Sequence, residues 1–322
     1  MATSSDGAAD CGGTRRRSAE PVPTGLAPPR SGSAGQRFLK ALTRVPLGLL
    51  YAVGWLIHMI VFHLMRWRRD QVEGDVARAF PEKSAAERAV IVSASYRNLA
   101  DVMMETIWGF GASSAELRRR VVFENPEIVH HCADTKQSVV LLTSHLCNWE
   151  WLLLAGGATF GLPIDAVYQT LRVLSVDQYL RDARSRFGGK PFPRQDFVFE
   201  LMSRADTPRA YGLIADQTPP RDQRKHWTRM LNRDTAFFLG PERITRFLDA
   251  TVLYVEMRRV RRGHYSVRFE LLAAPPYELD AGMDDSPIME AFARRLERAV
   301  IDRPAEWLWV QKRWKYPKPA EP

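Results

Sequence analysis

The sequence predicts an α/β fold, with a mostly parallel central sheet flanked by helices and a transmembrane or interfacial helix before it. Short runs of β-branched residues alternate with longer helix-like segments, which is typical of strand–helix–strand units. One run, residues 139–143, is apolar up to its last residue, as expected for a strand buried on both faces of a parallel sheet. The 322 residues, 45% of them hydrophobic, suffice for one large domain of this kind.

The N-terminal part of the chain divides in two. Residues 1–36 are rich in Ser, Gly, Ala, Pro and Arg without apolar periodicity, so we expect a disordered leader. Val45–Met65 is the one long apolar stretch, and its roughly 21 residues reach about 31 Å as a helix, enough to cross a bilayer core. Residues 37–69 are therefore expected to anchor the chain in a membrane. Basic residues on both sides leave the orientation open, and a helix in the interface or in the protein core is the alternative.

Residues 70–316 are expected to form the α/β domain, and residues 317–322 a flexible tail. Helical spacing runs through Asp75–Phe110, with a break near Pro81. Five strands are expected at Val139–Thr143, Ala166–Tyr168, Tyr211–Ala215, Val252–Met257 and Tyr265–Leu271. Five helices are expected at Trp149–Phe160, Ser175–Phe187, Asp196–Arg204, Thr235–Asp249 and Pro287–Ile301. A turn at Gly263 predicts that the last two strands form an antiparallel pair.

Charge and motif content narrow the classes of partner and chemistry. The net charge of +9 suits anionic partners, but the chain carries no zinc-finger, RNP or helix-turn-helix signature, so nucleic acid is not expected. Its three cysteines form no C-x-x-C pair, which favours a reduced compartment without disulfides. No P-loop, G-x-G-x-x-G or H-E-x-x-H motif occurs, so we expect neither a cofactor nor a metal.

The most informative stretch is the strand–turn–helix sequence from Val139 to Glu150. A strand that delivers His145 to such a turn places the imidazole at the carboxyl edge of the sheet, where open α/β folds bind their ligands. Asn148 is a favourable N-cap, and Glu150 in the first helical turn is expected to reach back to one ring nitrogen of His145. The pair would then act as a general base with an orienting carboxylate. The alternatives are a histidine that caps a strand and a solvated acid in a first helical turn.

Four sequence blocks occur in an order that is typical of one enzyme family. They are His145–Glu150; Val167–Tyr168 with Arg184–Gly188; Ala215–Pro219 continued by Lys225–Trp227, Asp234–Thr235 and Phe238–Gly240; and Trp307–Lys315. In this order they resemble the lipid A late (secondary) acyltransferases, a branch of the lysophospholipid acyltransferase superfamily, whose H-x4-D/E motif the first block matches. Gln169 stands where that family commonly has arginine, so either Arg172 substitutes for it or that contact is missing.

The resemblance implies transfer of a fatty acyl group from a thioester, usually acyl carrier protein, to a hydroxyl of a lipid A precursor. An alcohol is a poor nucleophile until a base removes its proton, and neutral histidine suits that role near pH 7. His145 is then the base, and Glu150 holds its tautomer. The implied setting is the cytoplasmic face of a bacterial inner membrane, with acyl carrier protein, a phosphorylated glycolipid and the membrane as partners.

The remaining candidate residues are polar side chains that the resemblance or their charge connects with substrate binding. They are Asn148, Arg172, Arg184, Arg186, Asp216, Gln217, Lys225, His226 and Arg243. Asp216 and Gln217 close an apparent strand, so they should share the edge of the sheet with His145. Their structural alternatives are turn residues, a solvated loop and an exposed helix face. Trp307–Lys315 is likewise either an interfacial belt or a closing element packed on the core.

Three other functions stay open on the sequence alone. The same chemistry on another acceptor would make the chain an acyltransferase for a lysophospholipid, an aminolipid or another glycolipid. A membrane-bound binding or assembly protein would keep the fold without catalysis. A thiol hydrolase would use Cys147, two residues after His145, as its nucleophile.

Overall fold

The computed structural model describes residues 34–204, 207–277 and 286–319, which belong to one compact unit. Most of the leader expected at 1–36, and residues 320–322 of the expected tail, lie outside these ranges. The described part of the chain contains nine strands and eleven α-helices.

A seven-stranded sheet forms the centre of the unit. The strands, numbered along the chain, are β1 (Val121–Phe123), β2 (Val139–Thr143), β3 (Ile164–Tyr168), β4 (Pro191–Pro193), β5 (Ala210–Ile214), β6 (Lys225–Met230), β7 (Arg233–Phe238), β8 (Thr251–Arg261) and β9 (His264–Ala273). The sheet has the order β1-β9-β8-β2-β5-β3-β4, and all neighbours are parallel except β8 and β9. The predicted α/β fold with a mostly parallel sheet is confirmed, as is the antiparallel pair that turns at Gly263.

Strand β2 occupies the middle of this sheet between β5 and β8. Its first four residues are buried, which explains why the sequence from Val139 to Leu142 is apolar without alternation. The central position matters for the site, because the turn after β2 is flanked by the carboxyl ends of neighbouring parallel strands.

Helices flank the sheet. They are α1 (Ala34–Leu42), α2 (Leu47–His58), α3 (Arg69–Ala79), α4 (Ala85–Gly109), α5 (Ser114–Arg120), α6 (Glu127–Asp134), α7 (Trp149–Phe160), α8 (Leu174–Arg184), α9 (Phe197–Met202), α10 (Gly240–Leu248) and α11 (Pro287–Asp302). A capping box fixes the start of α4, because Ser84 Oγ accepts from the Glu87 N–H while the Glu87 carboxylate accepts from the Ser84 N–H. The break expected near Pro81 therefore lies between α3 and α4.

The expected anchor at 37–69 is several helical segments rather than one helix. Pro46 separates α1 from α2, because proline lacks an N–H and disfavours helical backbone in the residue before it. Helix α2 continues as a π-helix over Met59–Leu64. The combined segment Leu47–Leu64 is, within the described ranges, the one helix long and apolar enough to cross a membrane.

Helix α2 has one face against the protein and one exposed. The inner face presents Leu47, Leu50, Gly54 and His58. The contact with α4 is close, since a Cβ added at Gly54 would lie 2.9 Å from Cγ of Met104. The outer face exposes Leu49, Val53, Leu56 and Ile60. Only 28% of the Leu47–Leu64 window is buried, which does not fit the alternative of a helix inside the protein core.

One predicted helix is wrong over its first residues. The helix expected at Thr235–Asp249 begins only at Gly240, because residues 233–238 form β7. Leu231 and Asn232 adopt left-handed backbone angles, with φ of 51° and 63°, and thereby close the β6–β7 hairpin. The other four predicted helices and all five predicted strands are present with ends displaced by a few residues. Strands β1, β4 and β6 and helices α5 and α6 were not anticipated.

Candidate active site

The turn after β2 joins the strand to α7. Asn148 caps the helix, since its side-chain oxygen accepts a 3.0 Å hydrogen bond from the Trp151 N–H. This contact confirms the expected strand–turn–helix and its N-cap. Cys147 lies inside the turn with φ of 57°, a left-handed conformation that is uncommon for residues other than glycine.

The C-terminal segment holds this turn in place. The Cys147 N–H donates to the Glu306 carbonyl, and the Leu308 N–H donates to the His145 carbonyl, each at 3.0 Å. Leu146 and Trp307 form an isolated antiparallel bridge between these two contacts. The position of His145 is therefore fixed by residues more than 150 positions away in the chain.

The imidazole of His145 faces a carboxylate from the neighbouring strand. Nδ1 of His145 lies 2.7 Å from Oδ1 of Asp216, and the His145 N–H donates to Oδ2 at 3.0 Å. Strands β2 and β5 pair through Thr143 and Ile214, so both residues follow adjacent parallel strands at one edge of the sheet, as expected. An ionised carboxylate only accepts hydrogen bonds, so Nδ1 carries the proton and Nε2 keeps a free lone pair. Nε2 is thus available as a base.

The carboxylate of Asp216 is fully buried and hydrogen-bonded on both oxygens. Besides the two His145 donors, Trp307 Nε1 donates to Oδ2 at 2.9 Å and Gln311 Nε2 at 3.3 Å. Burial alone would raise the pKa of Asp216, but the His145 ring, the Trp307 indole and the His145 N–H lower the pKa to about 2. Asp216 was expected to bind substrate. A buried carboxylate engaged in this way orients the histidine instead.

Trp307 and Gln311 are site residues that sequence reasoning missed. The only sequence feature that pointed to them was the Trp307–Lys315 block. Its sequence was compatible with either an interfacial belt or an element packed on the core. Trp307, Trp309 and Arg313 are each only 2% exposed, which excludes the belt for these three. The Arg313 guanidinium lies over the Phe237 ring at 4.5 Å and donates to the Ala236 carbonyl.

Glu150 does not hold His145, and that expectation is wrong. Both carboxylate oxygens of Glu150 accept from Arg184, with Nε at 2.9 Å and Nη2 at 2.5 Å. Arg184 ends α8 and meets the first turn of α7, so the two form a bidentate ion pair. Burial works against the charged guanidinium, but Glu150 outweighs it and raises the pKa of Arg184. The ring of Trp149, in the first turn of α7, instead contacts the His145 ring edge-on, with 4.9 Å between the ring centroids.

An apolar cavity of about 430 Å³ adjoins His145. Residues of three strands line it, among them Leu141 and Thr143 of β2, Ala166 and Tyr168 of β3, and Gly212 and Ile214 of β5. Helix α7 covers them with Leu152, Leu153 and Gly156. Phe123, Phe160 and Phe269 line the inner end, where their rings contact one another at 4.7 to 5.7 Å. The volume and composition are those of a pocket for one apolar ligand.

The cavity has a polar mouth. Gln169, Leu171, Arg194 and Gln217 line it and are exposed, so the cavity opens beside them. His145, Glu150 and Arg184 also line the cavity. Of the predicted site residues, His145, Glu150, Arg184 and Gln217 therefore come together, with Asp216 behind the histidine.

Two predicted substrate-binding residues near the site make contacts that support the fold. Asn148 is fully buried, with its oxygen used as the N-cap and its Nδ2 donating to Glu105 at 2.9 Å, so it does not reach a substrate. Arg186 donates to the Phe110 and Ala112 carbonyls and connects the end of α8 to the loop before α5.

The remaining predicted residues lie apart from the cavity. Lys225 donates to the carbonyls of Pro220 and Arg221, and His226 Nε2 lies 2.8 Å from Glu290. Both line a separate polar cavity of about 280 Å³ near the β6–β7 hairpin. Arg243 is exposed on α10, and Arg172 is exposed in the loop after β3, one residue from the cavity mouth. The loop expected at Lys225 and His226 is the start of strand β6.

Cys147 does not fit the role of a nucleophile. The thiol is fully buried, and its Sγ contacts the Met257 carbonyl at 3.2 Å and the Glu306 carboxylate at 2.9 Å. Burial and the adjacent Glu306 raise its pKa well above the ordinary value, so the thiolate does not form near neutral pH. The surroundings of Cys147 therefore do not support the thiol hydrolase.

A second buried carboxylate supports the turn from the opposite side. Glu105 of α4 accepts from Tyr51 of α2 at 2.7 Å, from Asn148 at 2.9 Å and from Tyr265 of β9 at 2.5 Å. These contacts join the apolar N-terminal helix to the cap of α7. No group of three or more His, Cys, Asp or Glu side chains suited to a metal occurs within the described ranges.

Comparisons with known proteins give one result. The family model described as bacterial lipid A biosynthesis acyltransferase matches residues 26–316 of this chain. A lipid A biosynthesis acyltransferase of Haemophilus influenzae is 24% identical over 173 residues. That alignment covers 52% of this chain and 52% of the relative, so the chain matches about half the length of that protein.

Proposed function

We propose that this chain, which belongs to the bacterial lipid A biosynthesis acyltransferase family, transfers a fatty acyl group. The donor is an acyl thioester, and the acceptor is a hydroxyl of a lipid A precursor. One observation carries the chemistry. His145 has its Nδ1 held by a buried carboxylate, while its ring lines an apolar cavity of about 430 Å³ with a polar mouth. A base at the entrance to such a cavity suits a reaction between an alcohol and a long-chain acyl group.

In the proposed reaction His145 acts as a general base. Nε2 takes the proton of the acceptor hydroxyl as its oxygen attacks the thioester carbonyl. The carbon–sulfur bond then breaks, and the thiolate leaves with the proton held on the imidazolium. Asp216 lies 2.7 Å from Nδ1 and stabilises that imidazolium, as the acid does in a serine-hydrolase triad.

Developing charge on the carbonyl oxygen requires a donor. Two backbone donors of the turn are already committed, since the His145 and Cys147 N–H groups donate to Asp216 and Glu306. Arg184 lines the cavity and uses Nε and Nη2 towards Glu150, which leaves N–H groups of its fork for a ligand. We assign the oxyanion to Arg184, with Glu150 as the group that positions it.

The cavity is the proposed site of the acyl chain. Gly212 lies on the cavity-facing side of β5, where the lack of a side chain leaves room between Leu141 and Ala166. The contacting aromatic rings at the inner end are suited to limit chain length. The donor is proposed to be acyl carrier protein, an acidic partner that a chain of net charge +9 would attract.

Helix α2 is proposed to lie in the membrane interface rather than to span the bilayer. Its inner face packs on α4, which carries Asp101 in ion pairs with Arg259 and Arg262. A spanning α2 would take these charged groups into hydrocarbon at high cost. The exposed apolar face is suited to the interface of the bacterial inner membrane on its cytoplasmic side.

An in vitro transfer assay tests this function. Purified full-length protein would be mixed with a phosphorylated lipid A precursor and either acyl carrier protein or coenzyme A thioesters, and products followed by mass spectrometry. His145→Ala should lower the rate by about 10²–10⁴-fold, whereas His131→Ala, an exposed histidine on α6, should not change it. If acyl transfer occurs only to a lysophospholipid or an aminolipid, the proposed acceptor is wrong. If no lipid is acylated, the proposal that the chain is an acyltransferase is wrong.

A further inference from the structure

A group of exposed apolar side chains borders the cavity mouth. The outer rim consists of Leu171, Val173, Leu174, Val198, Phe199 and Met202. Each of these six side chains is between 42% and 76% exposed. Scattered exposed apolar residues are ordinary, but six on two neighbouring segments form a patch that needs a partner.

Topology places the outer rim on the same edge of the sheet as the catalytic turn. Leu171–Leu174 follows β3 and Val198–Met202 follows β4, and these two strands are parallel neighbours. Both segments therefore leave the carboxyl edge, where His145 follows β2. Leu171 and Phe197 line the cavity, so the outer rim directly adjoins its mouth.

Helix α1 connects the outer rim to α2. Gln36 Nε2 donates to the Ser175 carbonyl at 3.3 Å, which places α1 against the start of α8, directly after Leu174. Residues 43–46 then lead from α1 into α2. Phe38 of α1 is 63% exposed and adds an apolar side chain between the two surfaces.

Cations are interspersed with these apolar residues. Arg172 stands between Leu171 and Val173, and Arg194 precedes α9, with both side chains exposed. Arg37 and Lys40 are exposed on α1. Apolar side chains next to exposed cations are typical of surfaces that enter the headgroup region of an anionic bilayer.

We propose that the outer rim is a second membrane-contact surface, so that an anionic bilayer touches the protein at the cavity mouth as well as at α2. The inference deepens the proposed function, because a lipid acceptor would then reach His145 from the bilayer without crossing water. An acidic carrier protein fits the outer rim less well than a bilayer does. Such a protein would bind a surface rich in cations rather than one with six large apolar side chains.

Fluorescence quenching by lipids tests the contact directly. A fluorophore would be attached to single cysteines at Val173→Cys and Phe199→Cys in full-length protein carrying Cys11→Ser, since Cys132 and Cys147 are buried. Leu271→Cys is the matched control, because Leu271 is an equally exposed apolar residue that pairs with Leu253 near the opposite edge of the sheet. The protein would be bound to phosphatidylethanolamine–phosphatidylglycerol vesicles containing lipids with a nitroxide on the acyl chain.

The proposal expects a roughly twofold or greater loss of fluorescence at positions 173 and 199 and almost none at 271. Equal quenching at all three positions, or quenching at none, would overturn it. If a second copy of the protein that carries the quencher lowers the fluorescence in the absence of lipid, the outer rim is a site of self-association. That result would overturn the proposal as well. The measurement needs no acyl donor, so its result is independent of whether the proposed reaction takes place.

A functional comparison adds a second readout. Val173→Glu with Phe199→Glu should lower transfer to an acceptor embedded in vesicles by about tenfold or more, because burying two carboxylates in the interface is costly. Transfer to the same acceptor in detergent micelles should be unchanged. Phe247→Glu, an exposed position on α10, is the control that should affect neither rate.

Discussion

Two carboxylates lie on either side of the turn that carries His145, and they differ in burial and in hydrogen-bond partner. Asp216 is 71 residues from His145, fully buried, and hydrogen-bonded to the imidazole. Glu150 is five residues from His145, partly exposed to the cavity, and paired with Arg184. In this chain the adjacent strand of the sheet, and not proximity along the chain, supplies the carboxylate that contacts His145.

The two surroundings suit different tasks. Four N–H groups keep Asp216 ionised at the back of the ring, where it fixes the tautomer without meeting substrate. Glu150 holds a guanidinium at the cavity wall, where a ligand can reach it. In the proposed reaction, Asp216 therefore orients the base and Glu150 positions the guanidinium that meets the developing charge.

Of the variants that distinguish Asp216 from Glu150, Asp216→Asn should have the largest effect on activity. The amide keeps the shape but removes the charge that stabilises the imidazolium and selects the tautomer, so kcat should fall by about 10²–10⁴-fold. Asp222→Asn, an exposed aspartate in the loop before β6, should leave kcat unchanged. Steady-state kinetics with saturating donor would measure both. If Asp216→Asn keeps most of the activity that Glu150→Gln loses, the assignment of the two roles is reversed.

Glu150→Gln should have a smaller effect that appears mainly in kcat, because Arg184 is assigned to the charge that develops in the transition state. Loss of the bidentate pair frees Arg184 from its position, and we expect a change of about tenfold. Arg184→Gln and the double variant complete a mutant cycle. The two changes should be strongly non-additive, because they remove one ion pair. Additive losses would show that the two residues act separately.

Trp307→Phe should change the pH at which the protein unfolds in acid. The pKa of Asp216 is lowered from 3.8 to about 2, so its ionisation stabilises the fold above pH 4 and that stabilisation is lost as pH falls through about 2. Removing the indole donor should raise this pKa and move acid unfolding to higher pH, with a loss of about 1 kcal/mol at neutral pH. Circular dichroism during acid titration measures the shift. In the Asp216→Asn background the same substitution should not move the acid transition.

Cys147→Ser should have the smallest effect of these variants. A hydroxyl fits the volume of the thiol and can donate to the same Met257 carbonyl, so transfer activity should stay within about threefold of the parent. Activity that disappears in this variant, while the protein remains folded and bound to membranes, would return the thiol to the mechanism.

Much of the fold could be predicted from short stretches of the sequence. The apolar run of β2, the position of His145 after it and the cap at Asn148 all follow from a few adjacent residues, and the structure contains each of them. The helix predicted over Thr235–Asp249 failed in its first residues because the β6–β7 hairpin depends on left-handed angles at Leu231 and Asn232. Neither residue is a glycine, the usual signal of such a turn.

The sequence by itself determined that this chain builds an α/β fold with a histidine at the carboxyl edge of its sheet, because periodicity and capping act over a few residues. Only the tertiary structure decided that Asp216 rather than Glu150 meets the imidazole, that Trp307 completes the buried carboxylate's hydrogen bonds, and that Glu105 ties α2 to the same turn. Those contacts join residues far apart in the chain. Strand order and helix packing set them, and no local pattern encodes either.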